Sequence, residues 1–441
     1  MMIYQMHSRT GVTILLLVIL VASAAGDYLL TNKNNSNAVA QTTAPTSASS
    51  SIPKVKVEVV ASHLSIPWSI AFAPDGRIFF TERTGNIRII DRNGTLLSEP
   101  AAEISVVGSG EGGLLGIALD PEFENNHFVY VYYTYTTSGF PFGSSHNRVS
   151  RFTEKEDNKL SDEDVLLDNI PAADNHDGGR IKFGPVDGKL YVATGDATNR
   201  DSAQDTSSLA GKILRLNKDG TVPEDNPFKG SLVYSYGHRN TQGLAWDPVT
   251  SKLVETEHGP SGELGFAHDE INIIEPGKNY GWPKVIGYAN SSSYVDPVFQ
   301  TGDTTWAPSG ATFYTDNKIP EWNGKLLVAT LRGSQLEVIQ FDANLTKVIS
   351  IDSAFQGTYG RLRDIEQAPD GSLYLLTSNQ DGRGTPAPDD DKILRIVGTS
   401  PEAVPEYSSA YVVLILAVLM MLLVLFYYLK ERNVIDVRTL F

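Results

Sequence analysis

A histidine in a glycine-rich loop is the first candidate for acid–base chemistry. His176 stands in the string DNHDGGR, directly after Asn175, and two glycines follow within three residues. Imidazole exchanges protons near neutral pH, and glycines let a ligand approach the backbone closely. His176 is therefore a candidate general base. The alternative, a loop histidine that only caps a turn, stays open on this residue alone.

Four arginines are candidates for binding an anion, because a guanidinium pairs with carboxylates and stabilises a developing oxyanion. Arg239 lies in the string GHRN, next to Asn240. Arg361 and Arg363 alternate along a predicted strand and so share one face, and Arg332 lies in a loop of the neighbouring repeat. The last three could hold a polyanion such as a multi-carboxylate. The alternative is a set of salt-bridged surface arginines.

Oxygen ligands for a hard cation occur in the next polar strings. Gly259 and Pro260 present consecutive carbonyls beside the acidic Glu257, and carbonyl and carboxylate oxygens suit Ca²⁺. Asp269 and Glu270, in the string DEIN, are predicted to brace that loop or to hold a second calcium ion. An ordinary Gly-Pro turn and a solvated strand start are the alternatives.

Self-similarity predicts the elements that must position these loops. An apolar strand, a Pro/Asp/Gly turn and a second strand recur six times along the chain. Period-2 alternation with turn residues at fixed offsets is typical of strands, and radial repetition of four-stranded units is typical of β-propellers. We predict an all-β, six-bladed β-propeller, closed by Val55–Ala61 in the last blade, with the functional loops after the second strand of each blade. Two β-sandwiches are the alternative. The copies begin at Ile70, Ile117, Ile181, Leu244, Ile319 and Ile365.

Both ends of the chain are hydrophobic. About 20 apolar residues span a bilayer as a helix, and basic residues after the last apolar run place the tail in the cytoplasm. We expect a cell-membrane protein with a single-pass anchor and its propeller on the extracellular or periplasmic side; a buried core helix is the alternative. Along the chain we predict a signal peptide or signal anchor (1–26), a flexible Ser/Thr/Asn-rich linker (27–53), the propeller (54–398), a stalk (399–409), a transmembrane helix (410–429) and a cytoplasmic tail (430–441).

Composition excludes several classes of function. The 441 residues include no cysteine, which excludes disulfides, thiolate metal sites and cysteine nucleophiles. The formal net charge of −16 argues against nucleic-acid binding, because that requires a basic surface. With 41% hydrophobic and 20% charged residues, most of the chain is expected to fold.

The joint order of the motifs carries more information than any one of them. The chain contains GGLLGIALDP, NHDGGR, GKILRLNKDG, YGHRN, EHGP, DEIN, GKNYGWP and GRLRDIEQAPDGSLY, in that order. In this order the strings resemble the quinoprotein sugar dehydrogenases: the soluble glucose, aldose sugar and sorbosone-dehydrogenase-like proteins. The resemblance runs from about Ile66 to Val397. It implies a six-bladed β-propeller that binds pyrroloquinoline quinone (PQQ), a tricarboxylate, together with Ca²⁺.

The resemblance also implies roles for individual residues. His176 would take the proton from the anomeric hydroxyl of a sugar while hydride passes from C1 to C5 of the quinone. Arg239 and Asn240 would lie beside the quinone, and Arg239 would stabilise charge on its C5 oxygen. The carbonyls of Gly259 and Pro260 would bind the calcium ion of the cofactor, which would polarise the C5 carbonyl.

Further positions match binding residues of the family. Arg361 and Arg363 match paired arginines that contact carboxylates of the cofactor, and Arg332 falls near another cationic contact. Glu270 and the carbonyl of Tyr280 lie near positions that bind a structural calcium ion.

The chain departs from the glucose dehydrogenases of the family at three positions. They have Gln where Glu111 stands, Asp where Asn175 stands and Gln where Ala197 stands, which argues against strict glucose preference. Glu111 falls among the cofactor-binding positions, and its carboxylate would repel a tricarboxylate unless it faces the sugar or a cation, or takes up a proton. The long insertion that helps dimeric relatives to dimerise is absent between the fourth and fifth copies, so we expect a monomer.

These observations predict a dehydrogenase that oxidises aldoses to lactones and passes electrons to a quinone or a small redox protein. One rival is a Ca²⁺-dependent lactonase or related hydrolase, which would need a carboxylate-rich centre. Another is a non-catalytic sugar- or protein-binding propeller, which predicts loss of His176 or Arg239; both are present.

Overall fold

The computed structural model describes residues 53–137, 144–261, 267–399, 420–425 and 427–429. Its strands form six four-stranded antiparallel sheets, which are the blades of a β-propeller. The predicted all-β, six-bladed architecture is therefore confirmed.

The blades follow one another along the chain. Blade 1 contains β2 (Pro67–Phe72), β3 (Ile78–Glu82), β4 (Asn86–Ile90) and β5 (Ala102–Glu103). Blade 2 contains β6 (Leu114–Leu119), β7 (Phe128–Thr136), β8 (Ser145–Glu154) and β9 (Leu160–Pro171). Blade 3 contains β10 (Ile181–Phe183), β11 (Leu190–Ala193), β12 (Lys212–Leu216) and β13 (Val233–Tyr236).

The other three blades repeat this order. Blade 4 contains β14 (Thr241–Trp246), β15 (Leu253–Glu257), β16 (Glu270–Ile274) and β17 (Phe299–Gln300). Blade 5 contains β18 (Pro308–Phe313), β19 (Leu326–Thr330), β20 (Gln335–Phe341) and β21 (Val348–Ala354). Blade 6 contains β22 (Leu362–Gln367), β23 (Leu373–Thr377), β24 (Ile393–Gly398) and, as its outer strand, β1 (Val55–Ala61). Short helical turns are α1 (Phe123–Asn126) and the 3₁₀ segments Arg200–Gln204 and Pro320–Trp322.

The ring closes through the N-terminal strand. β1 pairs antiparallel with β24, in a register that joins Val55 to Gly398 and Val59 to Leu394. The sequence prediction that this strand completes the last blade is confirmed.

The core lies between the blades. Every residue of β3, β11, β15 and β19 is buried, because each of these strands has a neighbouring blade on both faces. β11 and β19 are accordingly almost wholly apolar, whereas β3 and β15 end in buried Thr and Glu residues.

The loops of the site leave the blades at two offsets. Strand direction alternates in an antiparallel sheet, so the connections after the second and the fourth strand emerge at the same end. The prediction of a single offset, after the second strand, was wrong for this reason. His176 follows the fourth strand of blade 2, whereas Gly259 follows the second strand of blade 4.

The predicted terminal segments remain predictions. Residues 1–26, the linker up to 52, residue 400 onward in the stalk, residues 410–419 and the tail lie outside the described residues. Residues 420–425 and 427–429, within the predicted transmembrane helix, are helical. In the described ranges we find no helix with the length and apolarity needed to cross a membrane.

Candidate functional site

Most of the predicted site residues meet in one cavity on the loop face of the propeller. This central cavity has a volume of about 310 Å³. Seven of the eleven predicted site residues line it, namely Glu111, His176, Arg239, Asn240, Gly259, Arg332 and Arg361. A side cavity of about 490 Å³ adjoins it and shares Leu331, Arg332, Arg361 and Arg383 as walls.

A buried carboxylate orients His176. Its Nδ1 atom lies 2.7 Å from Oδ1 of Asp196, which is fully buried. A carboxylate only accepts hydrogen bonds, so Nδ1 carries the proton and Nε2 is left as the basic atom. Asp196 is held in turn by the backbone N–H of Thr198 at 2.8 Å and by the indole N–H of Trp282 at 2.8 Å. The arrangement can accept a proton from a ligand hydroxyl and stabilise the resulting imidazolium.

The glycines near His176 are required by close backbone approach. His176 has a left-handed φ of 68°. A Cβ atom on Gly195 would lie 1.8 Å from the carbonyl oxygen of His176, and one on Gly178 would lie 2.6 Å from the Gly195 nitrogen. Only glycine fits where the His176 loop packs onto the Thr-Gly-Asp string that ends in Asp196.

Glu111 faces a cation and is ionised. Its Oε1 atom accepts a hydrogen bond from Nη1 of Arg383 at 2.7 Å, and its Oε2 atom accepts from the backbone N–H of His176 at 3.0 Å and from Nδ2 of Asn240 at 3.2 Å. Burial alone would raise the pKa of Glu111, but the charge and the hydrogen bond of Arg383, with the His176 N–H, hold it below its usual range. Of the three conditions that the sequence left open for this carboxylate, the structure shows a cation.

Arg239 and Asn240 are buried in the cavity wall. Nη1 of Arg239 donates to the carbonyl of His258 at 3.0 Å, and the guanidinium lies 5.3 Å from the centre of the Trp282 ring. Asn240 is fully buried and accepts the backbone N–H of Gly178 at 3.0 Å. Both residues are thus placed beside the His176 loop.

The paired arginines differ in depth. Arg361 lines the cavity and pairs with Asp381 through Nε at 2.9 Å and Nη2 at 2.8 Å. Arg363 is buried below it, donates to Oε1 of Gln242 at 2.7 Å and lies 3.9 Å from Asp381. Burial and the neighbouring Arg361 lower the pKa of Arg363 to about 9. The two arginines therefore converge on Asp381, but Arg363 is absent from the cavity wall.

Arg332 differs from Arg361 and Arg363 because its side chain pairs with no carboxylate among the described residues. Its side chain is exposed at the boundary of the two cavities, and within the described ranges it makes no hydrogen bond or ion pair. It is therefore the arginine most available to an anionic ligand.

The Gly259–Pro260 turn is braced by Asp269. The backbone N–H of Gly259 donates to Oδ1 of Asp269 at 2.8 Å, and Oδ2 of Asp269 accepts the backbone N–H groups of Trp306 at 2.6 Å and Ala307 at 2.9 Å. Gly259 lines the cavity, and Pro260 is buried next to it. The predicted bracing role of Asp269 thus matches its contacts.

His258 leaves a buried nitrogen in the cavity wall. Burial, together with the charges of Arg363 and Arg239, lowers the pKa of His258 to about 3, so the ring is neutral. Its Nε2 atom is buried and has no hydrogen-bond partner among the described residues. An orphaned buried polar atom in a cavity wall is a feature that a ligand would satisfy.

Glu270 and Tyr280 belong to a separate buried cluster. His238 stacks on the Tyr280 ring at 4.7 Å, and its Nδ1 atom lies 3.0 Å from Glu257 and 3.5 Å from Glu255. Nδ2 of Asn272 joins Glu255 at 2.8 Å to Glu270 at 3.2 Å. Burial and the neighbouring Glu257 raise the pKa of both Glu255 and Glu270. The structure therefore places Glu270 and Tyr280 outside the central cavity, in a cluster that joins His238 to Glu255, Glu257 and Glu270.

Comparison with known proteins identifies the family. The model of the family described as Glucose / Sorbosone dehydrogenase matches residues 64–394, which include blades 1 to 5 and the two inner strands of blade 6. The chain belongs to the glucose/sorbosone dehydrogenase family. This result confirms the resemblance inferred from the order of the motifs.

Individual members of this family resemble the chain over most of its length. The aldose sugar dehydrogenase YliI of Escherichia coli is 34% identical, and the match covers 74% of this chain and 91% of that protein. The quinoprotein glucose dehydrogenase B of Acinetobacter calcoaceticus is 30% identical, with 73% and 84% covered. A solved structure, the PQQ-bound form of aldose sugar dehydrogenase from Streptomyces coelicolor, is 39% identical, with a TM-score of 0.68 and 78% and 99% covered.

Sequence reasoning about the family site missed three residues that the structure brings to it. Asp196 orients His176, Asp381 organises the arginines, and Arg383 pairs with Glu111. The Thr-Gly-Asp string was a usable signal for Asp196. Nothing in the local sequence indicates that Arg383 reaches Glu111, which is 272 residues away.

Proposed function

We propose that this chain is a PQQ- and Ca²⁺-dependent aldose sugar dehydrogenase that oxidises the C1 hydroxyl of a sugar to a lactone. The observation that carries the proposal is the His176–Asp196 pair in a cavity that also holds Arg239, Arg332 and Arg361. A base beside several cations suits removal of a proton next to a polyanionic cofactor. The PQQ-bound state of the Streptomyces coelicolor relative supports the choice of cofactor.

The donor set of the two cavities fits a tricarboxylate. The side chain of Arg332 is exposed and without a described partner, Arg361 lies beside it, and Lys392, which is paired with Asp389 and Asp390, borders the side cavity. These cations are concentrated at one place in a chain whose net charge is −16. Arg332 and Arg361 would hold carboxylates of the cofactor, with Arg363 supporting Arg361 from below, and the orphaned Nε2 of His258 would gain a polar partner.

The carbonyl oxygens of Gly259 and Pro260 would bind the calcium ion of the cofactor. Asp269 holds this turn through the Gly259 N–H, so the carbonyls are positioned before an ion arrives. A structural calcium ion is proposed for Glu270 and the carbonyl of Tyr280, next to Glu255 and Glu257, which together with His238 form a group with metal-ligand spacing.

Bound PQQ would supply the acceptor for the C1 hydride at its C5 atom, with Ca²⁺ acting as a Lewis acid on the C5 carbonyl. Nε2 of His176 takes the proton of the C1 hydroxyl, and Asp196 stabilises the imidazolium that forms. The guanidinium of Arg239 offsets negative charge that develops at the acceptor oxygen. The sugar thus loses a proton and a hydride, which yields the lactone.

The sequence of the terminal segments supports a proposal for the location of the protein. We place the propeller on the outer side of the cell membrane, anchored as a monomer by residues 410–429, with a quinone or a small redox protein as the electron acceptor.

A hydrolase, the rival function, would need free carboxylates at the centre of the propeller. Glu111 is paired with Arg383, and Asp269 accepts three backbone N–H groups, which argues against that rival.

Reconstitution of the purified chain with PQQ and Ca²⁺ tests the proposal. We expect a panel of aldoses to bleach the absorbance of the oxidised quinone, and His176→Ala to bind PQQ but lose this reduction by roughly 10²–10⁴-fold in rate. A chain that does not bind PQQ would refute the cofactor. Binding without reduction by any aldose would refute the substrate class.

A further inference from the structure

Arg383 bridges two loops that flank His176, although it is more than 200 residues from both of them in the sequence. It lies between β23 and β24 of blade 6. Its Nη1 atom donates to Glu111 at 2.7 Å, and its Nη2 atom donates to Oδ1 of Asn175 at 2.6 Å. Glu111 precedes blade 2 and Asn175 follows it, so Arg383 joins a loop of blade 6 to both loops that flank blade 2.

The bridge is connected to the base through Glu111. While Oε1 of Glu111 pairs with Arg383, its Oε2 atom accepts the backbone N–H of His176 and Nδ2 of Asn240. Asn175 is the residue directly before His176. The bridge therefore forms the wall of the central cavity next to the group that takes the proton.

The guanidinium lies at the mouth of the site. The Arg383 side chain is 51% exposed and lines both the central and the side cavity. A guanidinium has five N–H donors, and the bonds to Glu111 and Asn175 use one on each terminal nitrogen. Its backbone is held by Asp381, whose Oδ1 atom accepts the Arg383 N–H at 2.9 Å. Donors of a positioned side chain thus remain available to a ligand.

We propose that Arg383 is a specificity-determining residue that contacts the substrate and recognises the hydroxyl group next to the oxidised carbon. The inference rests on the proposed function. A hydroxyl both donates and accepts, and the bridge offers guanidinium donors beside the acceptor oxygens of Glu111 and Asn175. A sugar with a hydroxyl at this position satisfies both kinds of group, whereas its deoxy analogue leaves the guanidinium donors without a partner.

The test compares kcat/KM for an aldose and its 2-deoxy analogue in the PQQ-loaded chain. Loss of a hydrogen bond to a charged group predicts that Arg383→Gln lowers kcat/KM for the parent sugar by roughly 10- to 100-fold while the deoxy sugar changes little. Arg383→Lys keeps the charge but not the planar fork, so we expect an intermediate ratio. The exposed Arg92, beside a different cavity in blade 1, provides the matched control Arg92→Gln, for which both values should be unchanged.

The dissociation constant of PQQ, measured by absorbance titration of each variant, separates the alternatives. The inference is supported if the ratio of kcat/KM for the aldose to kcat/KM for its 2-deoxy analogue falls while the dissociation constant of PQQ stays unchanged. An equal loss for both sugars, or a weakened PQQ constant with the ratio intact, would overturn it, because Arg383 would then act on the cofactor or on the scaffold. If none of the sugars reduces PQQ bound to the wild-type chain, the proposed function itself fails.

Discussion

At the scale of single residues, the chemistry depends on a carboxylate that does not touch the cavity. Asp196 is buried and joins three donors: the Nδ1–H of His176, the Thr198 N–H and the Trp282 indole. Because it fixes both the tautomer and the ring orientation, the basicity of Nε2 at the cavity depends on it.

Asp196→Asn is therefore expected to lower kcat by roughly 10²-fold or more, since the amide favours the other tautomer of His176. The PQQ dissociation constant should stay within a few-fold of the wild-type value, because Asp196 is not a cavity-lining residue. Stopped-flow reduction of the loaded quinone measures the step directly. Asp205→Asn, at an exposed carboxylate of the same loop, is the control. A variant with undiminished kcat would show that catalysis does not depend on the Asp196–His176 contact.

The residue scale is also where sequence reasoning reached its limit. His176, Arg239 and Gly259 could be predicted because their own types and neighbours indicate chemistry. Arg383 could not, because its partner Glu111 is set by ring closure rather than by spacing. Arg363 was placed beside Arg361 by alternation, which gives a shared face but not the depth of each side chain below the surface.

At the scale of elements, the loop between β15 and β16 shows how backbone geometry positions a predicted ligand set. A Cβ atom on Gly259 would lie 1.9 Å from the carbonyl oxygen of Ala267 and 2.3 Å from that of His268. Both contacts are with backbone atoms, which cannot rotate away as a side chain can. The turn must therefore shift if Gly259 is replaced by a residue with a Cβ atom. The Gly-Pro pair is thus fixed by packing as well as by the ligand chemistry that it offers.

Gly259→Ala should weaken the affinity of the site for Ca²⁺ by displacing its carbonyl. We expect a roughly 10- to 100-fold higher Ca²⁺ concentration for half-maximal PQQ binding, the range seen when the support of a metal ligand is lost. Gly108→Ala is a matched control, because a Cβ atom there has no neighbour within 4 Å. Titration of both variants with Ca²⁺ at fixed PQQ checks the effect. Identical midpoints would show that the Gly259 carbonyl is not a ligand.

The elements themselves were largely predictable from the sequence. Six recurrences of a period-2 pattern gave six blades, and the unpaired Val55–Ala61 segment gave the closing strand. The offset of the functional loops was wrong because the pattern marks strands without assigning their direction. Strand alternation then places connections such as β9–β10 and β15–β16 on the same face.

At the scale of the whole molecule, the innermost strands are joined below the site by one polar network. Arg180, before β10, donates through Nη1 to Asp364 of β22 at 2.9 Å and to Ser69 of β2 at 2.8 Å. Its Nε atom donates to the carbonyl of Gln242 in β14 at 2.9 Å, and Oε1 of Gln242 accepts from Ser309 of β18 at 3.2 Å. Five of the six blades thus meet in this network, directly beneath Arg363 and the cavity.

Removing Arg180 should destabilise the ring as a unit. Arg180 and Asp364 are 1% and 2% exposed at their side chains, so Arg180→Met leaves a buried carboxylate without its cation, at a cost of about 3–5 kcal/mol. We expect the melting temperature to fall by roughly 5–15 °C in a single transition that is followed equally by far-UV circular dichroism and by tryptophan fluorescence. The double variant Arg180→Met/Asp364→Asn removes the stranded charge but keeps an acceptor for the Ile70 N–H, so it should recover at least half of the loss. A double variant no more stable than Arg180→Met would show that the cost comes from lost packing against Trp68, 4.5 Å from the guanidinium, and not from the buried charge.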